Sequence, residues 1–381
     1  MISVSSVNEA LKSFYLDVLI SQLNNSISPL YKKFKATEHF ITGKEAVKPV
    51  CFDLSSGISA LDEYANLPTA NGNKYVNLRA ELKNLYGTIE ITDKALRASA
   101  NTEGAVVNLL NAEMEGLIAS AKRRFSKMLY GDGSGKLATV IEDCASAGEA
   151  VVDDASCLHV GMDIYVQEGP NSAVVKIVSI EGNRVITTYG SSHCAGTFFY
   201  GKDSIDKDIF GIETIFNNPE TLYGVATAGK TWMKPYEEGS VGAISDVKIQ
   251  KAIDAAESAS GGSIDFITCS YGVRRAYQAY LEATKRNINP VELEGGFKAI
   301  SYAGIPVVAD KYCPNGTMYL LDTKLFDLHQ LCDWRWLDGD NGEILKQISG
   351  KAAYGATLVK YANLICSLPC GQAKLSGLTE N

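Results

Sequence analysis

The chain has 381 residues, 46% hydrophobic and 21% charged, the make-up of a folded protein with room for two or three domains. Its 36 basic and 44 acidic residues leave a formal net charge of −8. That balance speaks against a dedicated nucleic-acid binder, which carries a basic excess, though not against a protein that encloses nucleic acid without gripping it.

The N-terminus, MISVSSVNEALKSFY, lacks a basic region followed by a continuous apolar core, so no signal peptide is expected. No apolar run approaches membrane-spanning length, and a cytosolic site of synthesis follows. Residues 6–25 read as an amphipathic helix. Val7, Leu11, Phe14, Val18 and Leu23 recur at three- and four-residue spacing, and Pro29 lies beyond its end. Such a stripe must be buried, either on the chain's own body or on a neighbouring subunit.

Residues 37–85 have little period and many turn formers. Strand-like runs at Val50–Leu54 and Tyr75–Leu78 flank the stretch SSGISALDEYANLPTANGNKY. A two-stranded excursion of this kind has too little apolar surface to stand alone. It is a surface hairpin or an arm that pairs with another chain. Residues 84–92, NLYGTIEIT, alternate as a strand. A long helix is predicted over 102–129, with Val107, Leu110, Met114, Leu117, Ala121, Phe125 and Met128 in one stripe. Acidic residues early and basic residues late suit its dipole, and its length would be about 40 Å.

The helix runs into LYGDGSGKLATV, residues 129–140, whose Gly131-Asp132-Gly133-Ser134-Gly135-Lys136 has the look of a phosphate loop. That loop requires four residues between its glycines, a hydroxyl after the lysine, and a strand before it. Here three residues intervene, Leu137 follows Lys136, and a helix precedes. A turn that stops the helix is the better reading, with a left-handed conformation expected at Gly131 or Gly133.

Residues 150–200 are β-rich and read as a small barrel or sandwich. SDVKIQKAIDAAESA, DFITCS and YGVRRAYQAYLEATKR then read as helix, strand and helix, with Ser270 capping the second helix. Residues 317–378 return to strands. The class is α+β with an all-β insertion.

No catalytic or metal constellation emerges. The nine cysteines are scattered apart from Cys366 and Cys370, and buried free thiols are expected. His39, His159, His193 and His329 fall in separate segments, and no nucleophile elbow is present. DWRWLDGDNGE at 333–343 lacks the ligand order of a calcium loop. Trp334 and Trp336 alternate to one face of a strand, which fits core packing or a partner surface. No cofactor is expected.

The order of these elements, with LYGDGSG, GGFKAISYAGIPVVADKYCPNGTMYLLDT and DWRWLDGDNGEILKQ, resembles the major capsid proteins of tailed double-stranded DNA bacteriophages, of the Hong Kong ninety-seven-type fold. The resemblance covers nearly the whole chain. It implies an N-terminal arm at 1–36 and an extended loop at 37–85. A peripheral domain would take 86–140 and 329–366, including the spine helix. The β insertion domain would be 141–208, which the family's prototype lacks, and the axial domain 209–328 with 367–381. It also implies a non-enzymatic virion protein, assembled in the host bacterial cytoplasm into pentamers and hexamers of an icosahedral shell around double-stranded DNA. Portal and cement proteins are possible partners. Without a long scaffolding segment at the N-terminus, a separate scaffolding protein or none is implied. Subunit-interface candidates are Leu11, Phe14, Val18, Lys44, Lys48, Lys74, Lys83, Trp334, Trp336 and Asn341. In the prototype a loop lysine joins covalently to an asparagine of a neighbour. The spacing here does not match, and no cross-link is expected at Asn341. The alternatives are an encapsulin-like nanocompartment shell and an enzyme using 131–136 for phosphate.

Overall fold

The computed structural model describes residues 28–55, 57–64, 66–69, 71–94, 105–167, 172–284, 290–293, 297–338 and 344–380. The helix expected at 6–25, with Leu11, Phe14 and Val18, lies outside them, as does Asn341.

The spine of the molecule is α1 (Ala105–Tyr130). Met114, Ile118, Phe125, Met128 and Leu129 are buried along one side of it, as the three- and four-residue spacing requires. That side packs on a sheet. The strand β22 (Ala353–Cys366) runs antiparallel to β5 (Lys83–Thr92) on one edge and to β20 (Phe326–Trp336) on the other. Beyond β20, β1 (Lys35–Thr37) pairs in parallel, and β21 (Lys346–Gln347) adds a short pairing to β22. The helix crosses β5 at Gly87, where a Cβ would fall 2.7 Å from Leu117 Cδ1. A larger residue there would push the helix off the sheet. Between them, Phe125 meets Trp334 edge-on at 5.9 Å and Tyr31 at 5.5 Å.

The arm is a three-stranded ribbon of β2 (Ile41–Thr42), β3 (Glu45–Asp53) and β4 (Lys74–Glu81). Its base is held by Ala46, Val50, Leu78 and Ala80, which join the main core. The strands are longer than the sequence runs suggested, because backbone pairing continues through exposed positions such as Glu45 and Lys74.

The β-rich stretch is a closed barrel, in the order β10-β7-β6-β11-β8-β9. Its strands are β6 (Lys136–Glu142), β7 (Glu149–Val152), β8 (Asp163–Gln167), β9 (Ala173–Glu181), β10 (Arg184–Thr187) and β11 (Phe198–Gly201). Leu137, Val140, Val152, Ile164, Val166 and Phe199 fill it. The barrel starts at Lys136, ahead of the expected boundary at 141, because β6 pairs with β11 and closes the wall.

After a short helix α2 (Glu213–Phe216) and the ribbon of β12 (Thr221–Leu222) and β13 (Val225–Ala226), the chain builds a seven-stranded mixed sheet. Its strand order is β14 (Tyr236–Glu238), β23 (Ala373–Leu375), β19 (Met318–Leu321), β15 (Phe266–Cys269), β18 (Ile305–Ala309), β17 (Phe297–Tyr302) and β16 (Pro290–Leu293). The helices α3 (Asp246–Ser260) and α4 (Tyr271–Thr284) contribute Ile249, Ile253, Val273 and Tyr277 to its core. Gly261 ends α3 in the left-handed conformation, and Ser270 Oγ accepts the Val273 N–H at 3.3 Å, the cap the sequence suggested.

Candidate assembly surfaces

The glycine-rich loop is packed against its own chain. Asp132 Oδ1 accepts the Ser134 N–H at 3.0 Å and the Ser134 hydroxyl at 2.5 Å. Gly133 and Gly135 take φ of 88° and 83°. A Cβ on Gly135 would lie 2.2 Å from the Ser204 carbonyl oxygen, and one on Gly133 would lie 2.7 Å from Phe210 Cδ1. These glycines therefore let the 204–210 segment close over the loop. Gly131 is not left-handed. Its N–H bonds Met128 O at 3.0 Å and simply closes the last turn of α1. Lys136 lies over the Phe198 ring at 5.0 Å. The lysine that would contact phosphate is occupied by an aromatic face.

Two ion pairs clamp the barrel region to α1. Arg124 makes a bidentate contact with Asp208 at 2.7 and 2.9 Å, and Lys127 meets Asp154 at 2.8 Å. Burial pushes the Asp208 carboxyl up, and the Arg124 guanidinium only partly opposes it. Burial also works against an ionised Asp154, but Lys127 and the hydrogen bonds of Ser156 outweigh it, so that carboxyl sits below its usual range. Lys127 is raised despite burial, through Cys157 and Asp154.

The arm presents a contrast. Beyond its base, Leu54, Ile58, Leu61, Tyr64 and Leu67 are 78, 93, 48, 97 and 89% exposed. Apolar side chains scattered singly on a surface are ordinary. Five within fourteen residues form an exposed apolar stretch of the kind that serves as a contact surface. A groove of about 800 Å³ lies between β5 and α1, lined in part by Leu85, Leu117, Arg124, Lys207 and Trp334. Arg124 Nη1 and Trp334 Nε1 are buried there without an acceptor among the described residues.

The sequence candidates fall into different places. Lys44 is exposed on the arm. Lys74 pairs with Asp53 at 2.7 Å across the ribbon, and Lys83 Nζ donates to the Asp206 carbonyl at 3.0 Å. Lys48 is half-buried and bonds Asp327 and Ser367, fixing the arm's base to the body. Trp334 and Trp336 are 3% and 1% exposed. Both lie inside this chain's core, so they correct the interface assignment: their area is already spent on α1 and the sheet. Sequence reasoning missed Lys360, fully buried against Gln330 at 2.9 Å and Asp333 at 2.6 Å. A lysine in TLVKYAN carries no sign of burial; only the position of β22 under α1 puts it there.

Five of the nine cysteines are buried free thiols, as expected, whereas Cys51 and Cys194 are exposed. Burial pushes the Cys269 thiol up to about 12, which keeps it protonated and unreactive. Among the described residues no group of His, Cys, Asp or Glu is arranged to hold a metal ion, and no helix is long and apolar enough to cross a membrane.

The sequence matches no family model and no curated protein. Its fold is matched among solved structures. The chain is similar to the capsid asymmetric unit of cyanophage A-1(L), with a TM-score of 0.59 at 11% identity, over 95% of this chain and 93% of that one. The chain has the fold of a phage capsid subunit. Looser likenesses are to the capsid of an empty GTA particle, with a TM-score of 0.49 at 10% identity over 91% and 88% of the two chains. Another is to the holo-SrpI encapsulin complex from Synechococcus elongatus, at 0.48 and 12% identity over 93% and 89%.

Proposed function

We propose that the chain is a structural major capsid protein that assembles into an icosahedral shell enclosing the double-stranded DNA genome of a tailed phage. The observation that carries this is an apolar, projecting arm on a capsid fold matched over almost the entire chain. In this reading α1 and the sheet of β1, β5, β20, β21 and β22 form the peripheral domain. The seven-stranded sheet with α3 and α4 forms the axial domain, and the barrel is the insertion. Pentamers and hexamers of the chain are the building units. The arm lies on a neighbouring subunit, where interfaces of about 1,000 Å² or more give stable contacts. The groove between β5 and α1 is the receptacle for a segment from an adjacent chain. In this reading scaffolding is supplied by a separate protein or not at all, portal and cement proteins are candidate partners, and assembly takes place in the host cytoplasm.

The loop at 131–136 is closed by its own chain and Lys136 lies over the Phe198 ring, which favours the assembly reading over a phosphate-using enzyme. Electron microscopy of purified, concentrated protein tests the proposal. Closed shells are expected, and monomers or small rings alone, with any scaffolding partner supplied, would overturn it. DNA inside native particles favours the virion over a nanocompartment, which would hold a packaged protein.

A further inference from the structure

The junction between α1, the barrel and the seven-stranded sheet carries cations of two kinds. Those inside it are paired: Arg124 with Asp208, Lys127 with Asp154, Lys374 with Glu213. Three at its surface, Arg123, Lys311 and Arg274, have no carboxylate within ion-pair distance among the described residues. They belong to one seam. Lys311 Nζ stands 5.0 Å from the Tyr312 ring centre, and the Arg274 guanidinium 5.7 Å from that of Tyr271. Tyr312 packs on both the main core and the barrel core, and has Arg123 and Tyr271 as electrostatic neighbours. Arg123 also acts electrostatically on exposed His159 of the barrel, helping burial lower that imidazole. Lys311 and Tyr271 are exposed, and Arg123, Tyr312 and Arg274 are half-buried.

The carboxylates nearby are oriented by hydrogen bonds to other groups, with Asp310 an electrostatic neighbour of Lys311 but not ion-paired with it. Asp310 is buried and accepts from Ser28, from Tyr130 at 3.1 Å and from the Tyr312 N–H at 3.0 Å. Glu380 accepts from Ser270 and from the Gly316 N–H at 2.7 Å. Asp154 belongs to Lys127, and Asp153 accepts the Thr139 N–H at 2.8 Å. Arg274 Nε is buried without an acceptor. In a chain with a net charge of −8, these three cations without an ion-paired carboxylate, beside exposed Tyr271 and half-buried Tyr312, form a surface that suits an anionic partner.

We propose that this seam contacts the phosphodiester backbone of double-stranded DNA, without reading its sequence. The inference rests on the capsid reading for its biological setting, and it names the part of the subunit that touches the enclosed genome. Cations on fixed supports position a phosphate backbone, and the tyrosine rings hold them in place and offer hydroxyls. Three contacts give a weak site, as a shell wall requires if packaged DNA is to leave again. Each phosphate neutralised contributes a slope of about −0.9 to log K against log salt, so three give about −2.7, or about 40-fold weaker binding for a fourfold rise in salt.

The experiment measures fluorescence anisotropy of a labelled 30-base-pair duplex with dispersed full-length subunits across a salt series. A slope near −2.7 is expected, falling by about 0.9 in Arg123→Gln and again in Lys311→Gln, with Lys311→Arg unchanged and no dependence on sequence. Absence of duplex binding, or binding with the same slope in the Arg123→Gln/Lys311→Gln/Arg274→Gln variant, would overturn it. So would preferential binding of an acidic peptide over the duplex. Electron microscopy of the parent protein separates the two claims: a parent that forms normal shells while its subunits show no duplex affinity refutes this inference and leaves the capsid reading standing.

Discussion

Changing Ile58 and Tyr64 to aspartate should abolish assembly while leaving the subunit folded. The two side chains are 93% and 97% exposed, so their removal takes almost no contact from the isolated chain. On the proposed neighbour each buries most of its surface. At about 25 cal/mol per Å², a buried large apolar side chain contributes about 1.5–3 kcal/mol. Losing two removes about 3–6 kcal/mol per subunit contact, and burying two carboxylates in their place adds a further penalty. A shell multiplies that loss over every contact, so partial assembly is not expected. Sedimentation through a gradient, with electron microscopy of the fractions, reads assembly. Thermal melting of dispersed subunits reads folding, with the melting temperature predicted to stay within about 2 °C of the parent, as for other exposed-site changes. Wild-type shell yield from the double variant would refute the reasoning. A melting temperature far below the parent's would refute it too, since the arm would then belong to the monomer's own core.

Gly135→Ala should destabilise the subunit by about 2–4 kcal/mol, because φ is +83° and the added carbon meets Ser204 O at 2.2 Å; Gly131→Ala, at an ordinary φ, should cost under about 1 kcal/mol, both read by denaturant unfolding. Lys136→Ala should leave the protein without nucleotide affinity, as before the change, and tight ATP binding lost in that variant would contradict the loop's assignment. The Lys127–Asp154 clamp should loosen at both extremes of pH. Asp154 sits below its ordinary value, so its contribution is present above the usual carboxylate range and lost as pH falls through its lowered value. Lys127 sits above its ordinary value, so its contribution is lost only as pH rises through the raised one. Hydrogen exchange of the barrel strands reads both limbs, and Asp154→Asn should remove the acid limb. Denaturing electrophoresis of mature particles should give a single band at the monomer mass, since Lys48, Lys74 and Lys83 already have partners within the chain; covalent ladders that vanish in Asn341→Asp would contradict this.

Elements whose burial follows from local pattern were legible in the sequence. The stripe of Met114, Phe125 and Met128 announced α1, and the alternation of Leu85, Ile89 and Ile91 announced β5. The barrel followed from short β-rich runs with a turn at IEGNRV. What was hidden depends on distant pairing. β1 joins β20 across almost 300 residues, and Lys35–Thr37 has no apolar period to announce it. Trp334 and Trp336 were ambiguous because a buried strand face and a docking face read alike. Only α1 above them decides between the two. The Arg124–Asp208 clamp was equally invisible, since Arg124 sits in a basic helix end where solvent exposure is the usual fate. The arm was legible in outline from its lack of core-forming residues, but not in the degree to which Ile58, Tyr64 and Leu67 stand free.

The most direct measurement of the central claim is a cryo-electron microscopy reconstruction of the purified assembled protein. The account predicts a closed icosahedral shell in which Leu54–Leu67 of each subunit are covered by an adjacent copy and Trp334 stays inside its own subunit. Particles in which the arm remains solvated, or a protein that yields only dispersed monomers under every assembly condition, would contradict it.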